Sequence, residues 1–203
     1  KLDIKRMDDS LIDITNADAT NLSRTLRQEP DGALSQQLQN EYGMSREEAN
    51  KVAATSCKSA TSYWMLKLNG AVNPDGEGIG SYSEFLRDNV RDGIIKESNG
   101  WVGAGLVEKY GFDTKTINNY EEYIGSSEGR FGETRIHVNA KGYDHSIPTY
   151  SNSETDTRYI ADVGGRGYGG IVNDAIYNKG SIDSKRKNEY FKYYQYLERR
   201  KGR

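Results

Sequence analysis

The hydrophobic period of this chain changes near Gly111, and that change limits the fold it can adopt. Before it, apolar residues recur at helical spacing. Leu34, Leu38 and Tyr42 form one such set, Ala49, Val52 and Ala53 a second, Ala60, Trp64 and Leu68 a third, and Phe85, Leu86 and Val90 a fourth. Beyond it, Arg135 to Asn139 alternates Ile136 and Val138 with polar residues. Tyr143 to Tyr150 and Arg158 to Val163 read as two further strands, separated by the turn-rich run 151–156. Helices first and strands second predict an α+β domain.

The punctuation agrees with the period. Gly43 closes a helix over 33–42, and Ser45-Arg46-Glu47-Glu48 is a capping-box pattern that opens the next. A helix over Cys57–Leu68 stops at Asn69-Gly70, another spans 82–92, and a short one over 103–110 ends at Gly111. Residues 1–20 read as a peripheral arm and 21–203 as one domain, with a helical half to about 111 and a sheet half over about 112–183. The tail from about 184 reads as a basic, aromatic helix, because Tyr190, Tyr193, Tyr194 and Leu197 would share a docking face.

The formal net charge is -2, so no global field draws the chain to nucleic acid or to an anionic membrane. No run of apolar residues is long enough to span a bilayer. Neither a nucleic-acid partner nor a membrane span is expected, and nothing argues for more than a monomer. The chain begins at Lys1, which leaves room for a removed signal or pro-segment.

Cys57 is the single cysteine, so no internal disulfide forms. A lone cysteine is commonly an idle buried thiol. Its position at a helix start argues for more, because unpaired backbone N–H groups and the helix dipole there favour a thiolate. Only two histidines are available. His145 opens one strand and Asp162 closes the next. A hairpin centred between Ser153 and Glu154 would set them face to face, with the carboxylate orienting the imidazole. Thiol, imidazole and carboxylate are the parts of a Cys-His-Asp catalytic unit. Pro148 lacks the N–H of a central strand and predicts an edge or a break three residues after His145.

His137 is the competing histidine and reads as a surface residue, since Ile136 and Val138 flank it. Asp144 and Asp156 are the rival carboxylates. An oxyanion site needs two donors. The Cys57 backbone N–H is one, and Asn50 is the expected second, with Lys51 as the other option.

The run Cys57-Lys58-Ser59-Ala60-Thr61-Ser62-Tyr63-Trp64, with His145 following after 88 residues and Asp162 after 17 more, resembles the bacterial papain-like cysteine peptidases. The spacing is similar to that of the compact bacteriocin-processing peptidase domains. The tryptophan seven residues after the cysteine, and the run Tyr159-Ile160-Ala161-Asp162-Val163-Gly164-Gly165, resemble the effector proteases of the YopT and AvrPphB type. The likeness covers about residues 45–165. It departs from the pattern at Lys58, where a glycine is usual, and at Asp144, where a small residue is usual. The resemblance implies a papain-like α+β fold, no cofactor, a protein or peptide substrate, and a protein that is secreted or delivered to a host cell. It also implies two related chemistries, glutamine deamidation and transglutamination, which share the acyl-enzyme.

Two other runs invite a binding role. Asn73 to Glu84 lines up with a calcium-loop template, with Gly76 at its sixth position. Gly164 to Gly170 is a glycine-rich loop that matches no nucleotide fingerprint. A non-catalytic interaction module, using the first of these loops and the basic tail, is the alternative outside enzymology.

Overall fold

A computed structural model of the chain describes residues 14–126, 128–137, 144–152, 157–161, 163–164, 175–177 and 191–201. The helices come first: α1 (Ile14–Arg24), α2 (Ala33–Gln37), α3 (Arg46–Ala54), α4 (Cys57–Leu68), α5 (Tyr82–Arg91) and α6 (Leu106–Lys109). A π-helical turn, Leu38–Tyr42, continues α2 and ends on Gly43 in the left-handed region. Strands β1 (Phe112–Ile117), β2 (Phe131–His137), β3 (Asp144–Asn152), β4 (Thr157–Ile160), β5 (Ala175–Tyr177) and β6 (Phe191–Arg199) follow, with helix α7 (Tyr120–Gly125) after β1. They form one sheet in the order β1-β6-β2-β3-β4-β5, and every neighbouring pair is antiparallel. The chain is α+β, with its helices packed on the sheet.

Local chemistry explains the helix starts. Ser45 accepts the Glu48 N–H while the Glu48 carboxylate accepts from the Ser45 backbone, so the capping box of α3 is complete. Ser81 accepts the Glu84 N–H and so caps the start of α5. Helix α4 is buried nearly all round, from Ser59 to Leu66. Trp64 is fully buried, meets Phe131 edge-on at 5.7 Å, and donates its indole N–H to the Ala19 carbonyl at 2.9 Å. From Ile14 onward the expected arm is thus helix α1, joined to the core at Ala19. Burying a side chain such as Leu66, Leu86 or Phe85 contributes about 2 kcal/mol each.

The sheet is covered on both faces. One cluster joins the helices to Phe112, Phe131, Tyr150 and Tyr159. A second gathers Ile117, Tyr120, Tyr123 and Tyr194, with Phe191 and Tyr196 packed against it.

Three expectations are corrected. The tail is not a helix over 191–199. It is strand β6, inserted between β1 and β2. Its aromatics have high strand propensity, and a central strand needs apolar groups on both faces. Tyr194 and Tyr196 serve the tyrosine cluster while Leu197 packs on the main core, so the apparent helical stripe was a two-faced strand. The basic residues from 185 to 190 lie outside the described residues. Next, β3 is not broken at Pro148, and over 144–148 its described ladder is with β2 alone, the β4 ladder beginning at Thr149. It lies between β2 and β4. The Pro148 carbonyl accepts the Ala161 N–H on the β4 side, just beyond the Thr149–Ile160 pair, so the missing donor falls at the end of that ladder. Finally, the ladder pairs Thr149 with Ile160, two residues away from the expected register. That register does not set Asp162 directly opposite His145, as a hairpin centred between Ser153 and Glu154 would have done.

Candidate active site

Cys57 is the first residue of α4 and is partly exposed. The Ser56 hydroxyl turns back to the Val52 carbonyl at 2.6 Å, so it does not cap the helix that follows. The 96–101 loop rests on this junction. Thr55 donates to the Asn99 carbonyl at 2.6 Å, and Gly100, at φ 70°, lies so close that a Cβ there would be 2.1 Å from Ser56 Oγ. Inside the first turn, Ser59 Oγ meets the Tyr82 hydroxyl at 2.8 Å.

Helix α4 docks on the sheet through one face. Thr61, one turn beyond Cys57, donates to the Ser146 carbonyl of β3 at 3.3 Å. Lys58 reaches β2 and pairs with Glu133 at 2.5 Å, and its ammonium lies 3.5 Å from the Tyr193 hydroxyl of β6. These contacts bring the start of β3, and with it His145, to the start of α4.

There the His145 side chain comes near enough to the Cys57 thiol to act on its ionisation. Burial pushes the thiol up. The hydrogen bond and charge of His145, a hydrogen bond from the Ser146 backbone, and the charge of Arg135 outweigh it and hold the thiol below its ordinary value. Two residues 88 apart in sequence are therefore neighbours.

The rivals engage each other. His137 and Asp144 face across β2 and β3, and His137 Nδ1 lies 2.6 Å from Asp144 Oδ1. Lys192 and Arg135 reach the other Asp144 oxygen at 2.6 and 3.7 Å. Burial raises the Asp144 carboxyl, but the Lys192 hydrogen bond and charge, then Arg135 and His137, hold it below the usual carboxylate range. Asp162 lies outside the described residues, as do Asp156 and the loop from Gly165 to Gly170.

Asn50 is placed elsewhere than expected. Its amide oxygen accepts from the Asp31 N–H at 2.8 Å and from Ser35 Oγ at 2.5 Å, so it ties α3 to the turn before α2. That turn also holds the Arg46–Asp31 pair. Lys51 is exposed. At the calcium-like loop, Asn73 donates within its own turn to the Gly78 carbonyl, and Ser81 caps α5. Among the described residues no group of three or more His, Cys, Asp or Glu side chains is placed to hold a metal ion. No described helix is long and apolar enough to cross a membrane.

Glu133, Arg135 and Ser146 were not expected from sequence. The signal was present in Phe131-Gly132-Glu133-Thr134-Arg135, where two charges alternate along a strand covered on both faces, so each must find a partner there.

Among solved structures the chain is similar to the peptidase domain of Streptococcus ComA, a bifunctional ABC transporter involved in a quorum sensing pathway. Identity is 16%, covering 72% of this chain and 93% of that one, with a TM-score of 0.45. It is also similar to the Pseudomonas avirulence protein AvrPphB, at 11% identity over 87% of this chain and 90% of that one, with a TM-score of 0.30. No protein-family model matches the chain, and no curated protein does.

Proposed function

We propose that this chain is a papain-like cysteine peptidase, a thiol-dependent amide hydrolase acting on protein or peptide. The observation that carries the reading is that His145 comes near Cys57 at the start of a helix and helps to hold the thiol below its ordinary value. His145 takes the thiol proton as Cys57 Sγ attacks the substrate carbonyl carbon. The tetrahedral oxyanion lies toward the N-terminal end of α4, where the Cys57 backbone N–H is a donor. Collapse expels the amine, which takes the proton back from His145, and leaves a thioester. Water, deprotonated by His145, then attacks the thioester and releases the carboxylic acid and the thiol. Asp162 is the carboxylate assigned to hold the imidazole. It follows β4, the strand beside the one that carries His145, and Asp144 is already engaged by Lys192 and His137.

The test is digestion of a peptide mixture, read by mass spectrometry. New peptide termini that appear with the native protein and vanish with Cys57→Ser and His145→Ala support the proposal. Conversion of glutamine to glutamate without new termini would place the chemistry on side-chain amides and overturn the peptidase reading. Cleavage that persists in Cys57→Ser would remove the thiol from the reaction.

A further inference from the structure

Arg135 reaches the residues on both sides of His145. From β2 its Nη1 donates to the Ser146 hydroxyl at 2.5 Å, and its Nη2 lies 3.7 Å from an Asp144 carboxylate oxygen. Ser146 is fully buried and is Arg135's direct partner in the strand ladder. The planar guanidinium suits this task, since one rigid group carries donors on separate nitrogens, whereas an ammonium has all its donors on a single nitrogen.

We propose that Arg135 is a positioning residue for the thiol–imidazole pair. It holds the Ser146 hydroxyl and faces the Asp144 carboxylate, on either side of His145, and its positive charge, only partly balanced by Asp144, acts on the sulfur. The inference rests on the thiol-hydrolase reading above and deepens it.

The charge balance favours Arg135 as the source of that field. Lys58 of α4 is neutralised by Glu133 of β2 at 2.5 Å. Asp144 of β3 faces two permanent cations, and Lys192 of β6 holds it at 2.6 Å against 3.7 Å for Arg135. One carboxylate between two cations leaves a net positive charge, and the nearer partner takes most of it. Of the tyrosines, Tyr193 of β6 lies at the Lys58 ammonium, while Tyr82 of α5 is kept neutral by burial, which pushes its hydroxyl up. The imidazoles are His145 at the thiol and His137 at Asp144. The Arg135 charge also favours the thiolate directly.

The experiment follows iodoacetamide alkylation of Cys57, the single thiol, against pH in the native protein and in Arg135→Gln, Arg135→Lys and Ser146→Ala. The midpoint should rise by about one pH unit in Arg135→Gln. It should rise less in Arg135→Lys, which keeps the charge, and in Ser146→Ala, which keeps the guanidinium but removes its acceptor. The thermal melt shows which variants are folded. If Arg135→Gln does not fold, the other two decide. A native midpoint below the ordinary thiol value that none of the folded variants moves would overturn the role of Arg135 and leave the enzyme reading standing. A native midpoint at the ordinary value would overturn both.

Discussion

The ammonium of Lys58, the residue that follows the thiol in α4, sits 2.5 Å from a Glu133 carboxylate oxygen on β2. Glu133 is fully buried, while Lys58 keeps part of its side chain in contact with solvent. The pair is a strut between the thiol-bearing helix and the middle of the sheet, and its cost and benefit are asymmetric. Removing the carboxylate leaves the Lys58 cation without its counter-ion, whereas removing both charges leaves only a packing change.

Glu133→Ala should therefore lower the unfolding free energy by about 2 kcal/mol. The double variant Lys58→Met/Glu133→Leu should recover most of it. Urea denaturation of Lys58→Met, Glu133→Leu and the double variant gives the coupling. Equal losses in the single and double variants would contradict a structural ion pair.

The two histidines should behave differently. His145→Ala should slow alkylation of Cys57 near neutral pH by about 100-fold, the scale of general-base assistance. His137→Ala should change it by no more than about two-fold, because His137 is held by Asp144 across the β2–β3 ladder. Equal effects of the two substitutions would put the wrong imidazole at the sulfur.

Two glycines with similar backbone provide an internal control. Gly93 has φ 73° with open space around it, while Gly100 has φ 70° against Ser56. Gly93→Ala should cost about 1 kcal/mol from conformation alone. Gly100→Ala should cost about 3 kcal/mol and also alter Cys57 reactivity, because Ser56 must move. Thermal melts and alkylation rates measure both, and equal costs would remove the clash from the explanation.

The thiol also ties stability to pH. A folded-state value below the unfolded one means that the unfolded chain binds more protons in the window between them. The Cys57 contribution is full above the unfolded thiol value of about 8.5 and is lost as pH falls through the lowered folded value. The stability of the native protein relative to Cys57→Ser should therefore rise with pH across that window. Denaturation at a series of pH values tests the sign, and a difference that is flat or falls would contradict it.

What could be read from the chain followed locality. Ser45 and Glu48, three residues apart, announced their own helix cap, and Cys57 to Leu68 carried enough apolar period to define α4 at both ends. His145 was marked by being one of only two histidines and by opening a strand. Pairings between distant segments were not legible. Strand β6 carries Tyr193, Tyr194 and Leu197 at a spacing that also suits a helix, and only insertion between β1 and β2 decides the matter. Asn50 looked like a free amide near the thiol, but the Asp31 turn that holds it comes from 19 residues upstream. The Arg135–Ser146 and Lys58–Glu133 contacts depend on the β2–β3 register and on how α4 lies across it, which no local pattern encodes.

The most direct measurement is the ultraviolet absorbance of the Cys57 thiolate against pH, with Cys57→Ser as the blank. The native protein should show a thiolate step below the ordinary value of about 8.5, and His145→Ala should move that step upward. A native step at or above the ordinary value, or one that His145→Ala leaves in place, would contradict the thiol–imidazole pair on which the account rests.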